Sequence, residues 1–246
     1  MRLFRRSSQQ SATLSTRRAG TLWLTGCATV VDTRVEQLIA AELPRFVGAA
    51  ARYVVTVDGA RETGEIFDIR RVRIVGERVE RAGSPVLERI DVTMMDLVVD
   101  RKEKRLQSLG TADAKALWLP ADIAAFLDTR PGLDNVQVAL FPPSEITVET
   151  QFAIGGFALP RSTGARIRGR LIASDGRLIM EIIDLRVAGF PVNTIPSIVA
   201  EKLMNPLVDL SAMATKARIT SVQVMPDAVL LNVSRSLMAD RSTTEF

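Results

Sequence analysis

Apolar positions in this chain follow first one period and then another. Val31, Val35, Leu38, Ile39, Leu43 and Phe46 recur at spacings of three, four and seven, and Thr33 with Glu36 has the form of a capping box. The spacing predicts an amphipathic helix over 33–43, ended by Pro44 or Gly48. From Arg52 the period drops to two. Tyr53 to Val57 reads as a short strand, and Gly64 opens a longer one in which Ile66, Val72 and Ile74 alternate with charges. Ile90, Val92 and Met94 face one way while Met95, Leu97 and Val99 continue in the other register, which predicts a β-bulge at Met94-Met95.

The same alternation continues downstream. Leu106 to Leu117 predicts another strand, and Pro120, Ala121 and Asp122 start a short helix through Leu127, with proline in the first turn and an acid beside it. Val136–Phe141 and Ile146–Ile154 form a hairpin around Pro142-Pro143-Ser144. Ile167, Leu171 and Ala173 share a face with Gly169, opposite Arg166, Arg168 and Arg170, and Ser174-Asp175-Gly176 turns the chain back through Leu178 to Val187. Pro191 and Pro196 frame a second helical region with a stripe of Ile195, Ile198, Val199 and Leu203. Asn205-Pro206 ends it, because a residue before proline disfavours the α region. Arg218–Met225 and Ala228–Ser234 make a last pair of strands. The expectation is an α+β chain, mostly antiparallel β, of about ten strands in a single domain.

Charge changes the picture only after it is divided. The formal net charge is +4, but residues 1–26 hold Arg2, Arg5, Arg6, Arg17 and Arg18 and no acid. Taking those five from the 32 basic residues leaves 27 against 28 acidic ones, so the body is nearly neutral. A nucleic-acid partner loses its electrostatic basis. The basic leader runs into the short apolar stretch 19–26 and then Leu24-Thr25-Gly26-Cys27, which looks like the lipobox of bacterial lipoproteins, with Cys27 as the lipidated residue. The competing reading is a basic tail before a short buried segment, with Cys27 a small core residue. Beyond the leader no run approaches the ~18–20 apolar residues that span a bilayer. The expected division is a leader over 1–26, a body over 27–236 and a tail over 237–246, exported to the cell envelope or periplasm.

Candidate chemistry is thin. The chain has no histidine and one cysteine, which removes Ser-His-Asp and Cys-His machinery, His-ligated metals, internal disulfides and multi-cysteine metal sites. Gly155-Gly156 lacks the helix and spacing of a phosphate loop, and no carboxylate pair can be set across a cleft. No catalytic residue, metal or cofactor is expected.

The strand Arg52–Val57, the steps Gly64-Glu65-Ile66, Val72–Gly76 and Leu87–Val92, and above all Asn205-Pro206-Leu207-Val208-Asp209-Leu210-Ser211 before the strand 219–224 resemble the LmeA-type phospholipid-binding proteins of the bacterial envelope. The resemblance runs in order from about residue 30 to residue 236. It implies a tubular lipid-binding fold, in which a strongly curved sheet wraps helices around an apolar cavity for acyl chains, and a phospholipid or other acyl lipid and a membrane surface as partners. It implies binding or transfer without catalysis. A structural envelope lipoprotein with a filled core is the alternative, and an envelope hydrolase stands behind it.

Each buried methylene contributes roughly 0.8 kcal/mol, so a lipid site needs a dry wall more than a motif. Candidate wall residues are Ile146, Val148, Phe152, Ile167, Leu171, Ile198, Leu203 and Met204, for which ordinary core packing is the competing role. The basic run Arg101, Lys102, Lys104 and Arg105 either contacts anionic headgroups or is a solvated turn.

Overall fold

The computed structural model describes residues 30–103, 105–154, 157–158, 164–174, 176–191, 200–210 and 217–236. Helix α1 (Val30–Phe46) leads into four long strands, β1 (Arg52–Thr63), β2 (Ile66–Val79), β3 (Leu87–Asp100) and β4 (Arg105–Trp118). Helix α2 (Pro120–Asp128) precedes the hairpin of β5 (Leu133–Phe141) and β6 (Glu145–Ile154), with the two-residue β7 (Phe157–Ala158) paired to β6. β8 (Gly164–Ser174) and β9 (Arg177–Val187) form the next hairpin. The short β10 (Phe190–Pro191) and β11 (Val208–Asp209) both pair with β9, and β12 (Arg218–Val224) and β13 (Val229–Ser236) close the order. Ten of these strands have seven residues or more, the number expected from the alternation.

They build two antiparallel sheets, β1-β2-β3-β4-β13-β12 and β10-β9-β8-β6-β5, neither closed nor strongly curled. The second sheet packs over the β12–β13 end of the first. Trp118, Val229, Leu231 and Ile219 there meet Ile146, Ile167, Leu178 and Met180 in one buried cluster, together with Ile123 and Leu127 of α2. A second cluster forms where Val35 and Leu43 of α1 lie on Val57, Val72, Ile74 and Leu97.

The first helix corrects its sequence reading. It begins at Val30, carries Pro44 inside and runs to Phe46, and Gly48 at φ +133° turns the chain beyond it. Thr33 lies inside the helix and so is not its N-cap. Glu36 Oε1 instead accepts the Val57 N–H at 2.9 Å, and the buried Asp32 accepts the Ala60 N–H at 2.9 Å. β1 is an edge strand, whose outward N–H groups would otherwise offer pairing sites to another chain. The helix covers that edge with two carboxylates one turn apart.

The expected bulge at Met94-Met95 is also corrected. Val92 and Met94 face the same cluster as Leu97 and Val99, so the face does switch. It switches at Asp96, whose backbone is left-handed (φ +53°), and β2 and β3 keep one register through it. The neighbouring strands switch at the same level. The flanking pairs Asp58↔Arg71 and Ala60↔Ile69 set Gly59 opposite Arg70, and those around Asp96 set it opposite Arg70 on one side and Gly110 on the other. A Cβ on Gly59 would lie 3.2 Å from that of Arg70, and one on Gly110 would lie 3.1 Å from that of Asp96. Gly59, Arg70, Asp96 and Gly110 thus form a crease across four strands. The bulge between β3 and β4 lies further on, between Val98 and Val99.

Other joints follow from the local sequence. Pro120 opens α2, and Asp122 in its first turn is held by both terminal nitrogens of Arg78 at 2.7 and 2.8 Å. Residues 200–204 are helical and end at Asn205, as the proline after it requires. The Asn205 amide accepts the Met180 N–H at 2.7 Å and donates to the Met180 carbonyl at 2.8 Å, tying that end to β9. Arg130 donates to the carbonyls of Leu203 and Pro206 and lies 4.8 Å from the centre of the Phe126 ring, and its burial lowers its pKa.

Candidate functional site

Strand register sets the inner face of the first sheet in rows. One row runs Tyr53, Gly76, Ile90, Ala116, Leu231; the next Val55, Ile74, Val92, Ala114, Val233; the third Val57, Val72, Met94, Ala112, Arg235. Helix α1 covers the β1–β2 side of these rows and the second sheet covers Ala116 and Leu231. Between the covers, Ile90, Val92, Met94, Ala112, Ala114 and Val233 are only half-buried.

β4 supplies alanine at three successive inward positions, 112, 114 and 116, while β3 and β13 beside it carry larger side chains. An alanine ends at Cβ, so the middle of the wall is depressed along β4. Gly76 does not extend it sideways, because the Tyr53, Val79 and Ile90 side chains fill the place its Cβ would take, within 3 Å. Ala114 and Ile90 belong to neither buried cluster and sit in the gap between them. From Ala112 to Trp118 the strand rises about 20 Å, at ~3.4 Å per residue. Trp118 is 3% exposed and closes the covered end of this line.

Two buried side-chain donors without a hydrogen-bond partner among the described residues are Trp118 Nε1 and Arg235 Nε. They mark the two ends of the alanine line, since Arg235 is the partner of Ala112. Buried donors are nearly always satisfied, so each such atom needs a reason.

The sequence-predicted wall lies elsewhere. Ile146, Val148, Ile167, Leu171 and Met204 are 0–2% exposed within the core between the sheets, and Leu203 is half-buried against it. Ile198 and the Phe152 side chain lie outside the described residues. The basic tip falls between β3 and β4 as expected. Arg101 there is held by Glu62 and Glu65 at 2.7 and 3.2 Å, and Lys102 is exposed. Lys104 and the Arg105 side chain lie outside the described residues, as does Cys27.

Two open hollows of about 440 Å³ each occur elsewhere. One lies over Gln137, Glu149, Arg166 and Arg186 on the polar face of the second sheet, and the other over Glu80, Arg81 and Ser84. None of the predicted wall residues lines either.

The family model for LmeA-like phospholipid-binding proteins matches residues 24–234. This chain belongs to that family. No curated protein and no solved structure matches it. The matched span takes in the second sheet and all of the first but its last two residues, Arg235 and Ser236.

The alanine line differs from the predicted wall in side-chain size. The readable signal is Thr111-Ala112-Asp113-Ala114-Lys115-Ala116, a strand whose apolar alternation is made only of the smallest apolar residue.

Proposed function

We propose that this protein binds phospholipid without catalysis by laying an acyl chain along the alanine-floored depression of the first sheet. Membership of a phospholipid-binding family carries the reading, and the half-buried apolar rows are the surface in the described residues whose chemistry fits. Partial wrapping of a lipid between α1 and the second sheet is the counterpart here of the family's enclosing tube. The basic leader and the Leu24-Thr25-Gly26-Cys27 run support an exported, membrane-anchored protein of the bacterial envelope, with lipid transfer as the activity. An anchor at Cys27 would hold α1, three residues further on, against the membrane.

The alternative of a structural lipoprotein with a filled core draws support from the tight packing of Ile146, Val148 and Ile167. Native mass spectrometry and lipid extraction of the purified protein separate the two. Binding predicts one co-purifying phospholipid per chain, whereas a protein that never carries or extracts lipid from vesicles overturns the reading. For the anchor, Cys27→Ser is expected to move the protein from the membrane to the soluble fraction.

A further inference from the structure

We infer that Arg235 is the phosphate ligand of this site and sets which lipids it takes. The inference rests on the lipid-binding reading above and adds a polarity to it, with the headgroup at the Arg235 end of the alanine line and the acyl tail running towards Trp118.

Arg235 is the one charged side chain in the three rows of the inner face. Its partner across the strands is Ala112, with Met94 one strand beyond, and Val233 precedes it on the same face. An arginine placed there gains nothing from apolar burial of its head, and a buried charged donor is costly unless something accepts from it. Nε is shut off from solvent and has no partner among the described residues. Arg70, Arg73 and Arg78 of the first sheet, and Arg101 in the turn after β3, each have a carboxylate within 3.2 Å. A planar guanidinium suits two oxygens of a phosphate at once. Ala112, its cross-strand partner, ends at Cβ. A turn of the half-buried Arg235 side chain would bring Nε, enclosed as it stands, onto a phosphodiester whose acyl chain enters the depression. Trp118 Nε1 then lies where the chain ends, which makes its indole a reporter of filling.

The test uses the full chain with Trp23→Phe, so that Trp118 is the sole indole, and titrates dioleoyl phosphatidylglycerol, dioleoylglycerol and inorganic phosphate. Wild type is expected to prefer the phospholipid over the diacylglycerol by about tenfold or more, the scale of one charge-assisted contact. Arg235→Gln should abolish the preference, bringing phospholipid affinity down to that for the diacylglycerol in the same variant, and Arg235→Lys should keep part of it. Arg235→Met serves if the glutamine variant does not fold. A preference that survives in the glutamine or methionine variant overturns the role of Arg235. Saturable binding of inorganic phosphate that is lost in the glutamine variant yet does not compete with phospholipid would also overturn it, by making this a free-anion site. Failure of wild type to bind either lipid overturns the lipid-binding reading itself.

Discussion

Ala114→Leu tests the depression most directly, because a vacant groove and a packed core predict opposite signs. Ala114 lies between Val92 and Val233, half-buried and outside both core clusters. Leucine adds three carbons. If the space above Ala114 is open to a lipid, those carbons displace about three methylenes of bound chain, at roughly 0.8 kcal/mol each. Affinity for phospholipid should then fall by about 2.4 kcal/mol, or roughly 50-fold at ~1.4 kcal/mol per decade. Stability should hold or rise, since the new side chain covers half-exposed Val92 and Val233. In a filled core the same change forces overpacking and costs about 1–3 kcal/mol. Urea unfolding of lipid-free protein and lipid extraction from vesicles give the two readouts. A variant destabilised by more than about 1 kcal/mol, with lipid uptake unchanged, would refute the groove.

Three further outcomes follow from the joints of the fold. Asp32→Ala leaves the Ala60 N–H without its acceptor and should cost about 1–3 kcal/mol, with amide exchange rising first at Ala60; unchanged protection there would separate the helix from the edge. Asn205→Ala removes both bonds to Met180 and should lower stability by about 2 kcal/mol in urea melts, whereas a loss under about 0.5 kcal/mol would mean the helix end is held otherwise. Asp91 has a pKa lowered first by its hydrogen bond from Arg73, so its contribution is present above the ordinary carboxylate range and is lost as pH falls through its depressed folded value. Asp91→Asn should therefore narrow the stability gap between about pH 7 and about pH 3, and an unchanged gap would remove Asp91 from the acid response.

The second half of the chain was the more legible. Arg166, Arg168 and Arg170 do face outward opposite Ala165, Ile167 and Leu171, and the β5–β6 turn falls at Pro142-Pro143, because period-two patterning and turn residues are local signals. Thr33 and Glu36 misled for the opposite reason. The capping box is a local motif, but Glu36 is used by an amide 21 residues away that sequence does not place beside it. The face switch near Met94 was visible, while its cause was not, since a crease shared by four strands looks like an inserted residue when one strand is read alone. The site was hardest of all: alanine contributes little to a hydrophobic pattern, and its meaning comes from the larger neighbours that register brings alongside.

That shared crease has a consequence for how the protein tolerates change. On β2, charge is excluded at 67 and 69 on one side of Arg70 and at 72 and 74 on the other, so permissive and forbidden positions exchange odd for even numbers at that row. β1, β3 and β4 invert at Gly59, Asp96 and Gly110 in step. A saturation scan should therefore show a phase slip at the same level in all four strands. A single-residue deletion in one of them would move only its own slip, leaving three strands dressed for a line that the fourth no longer shares.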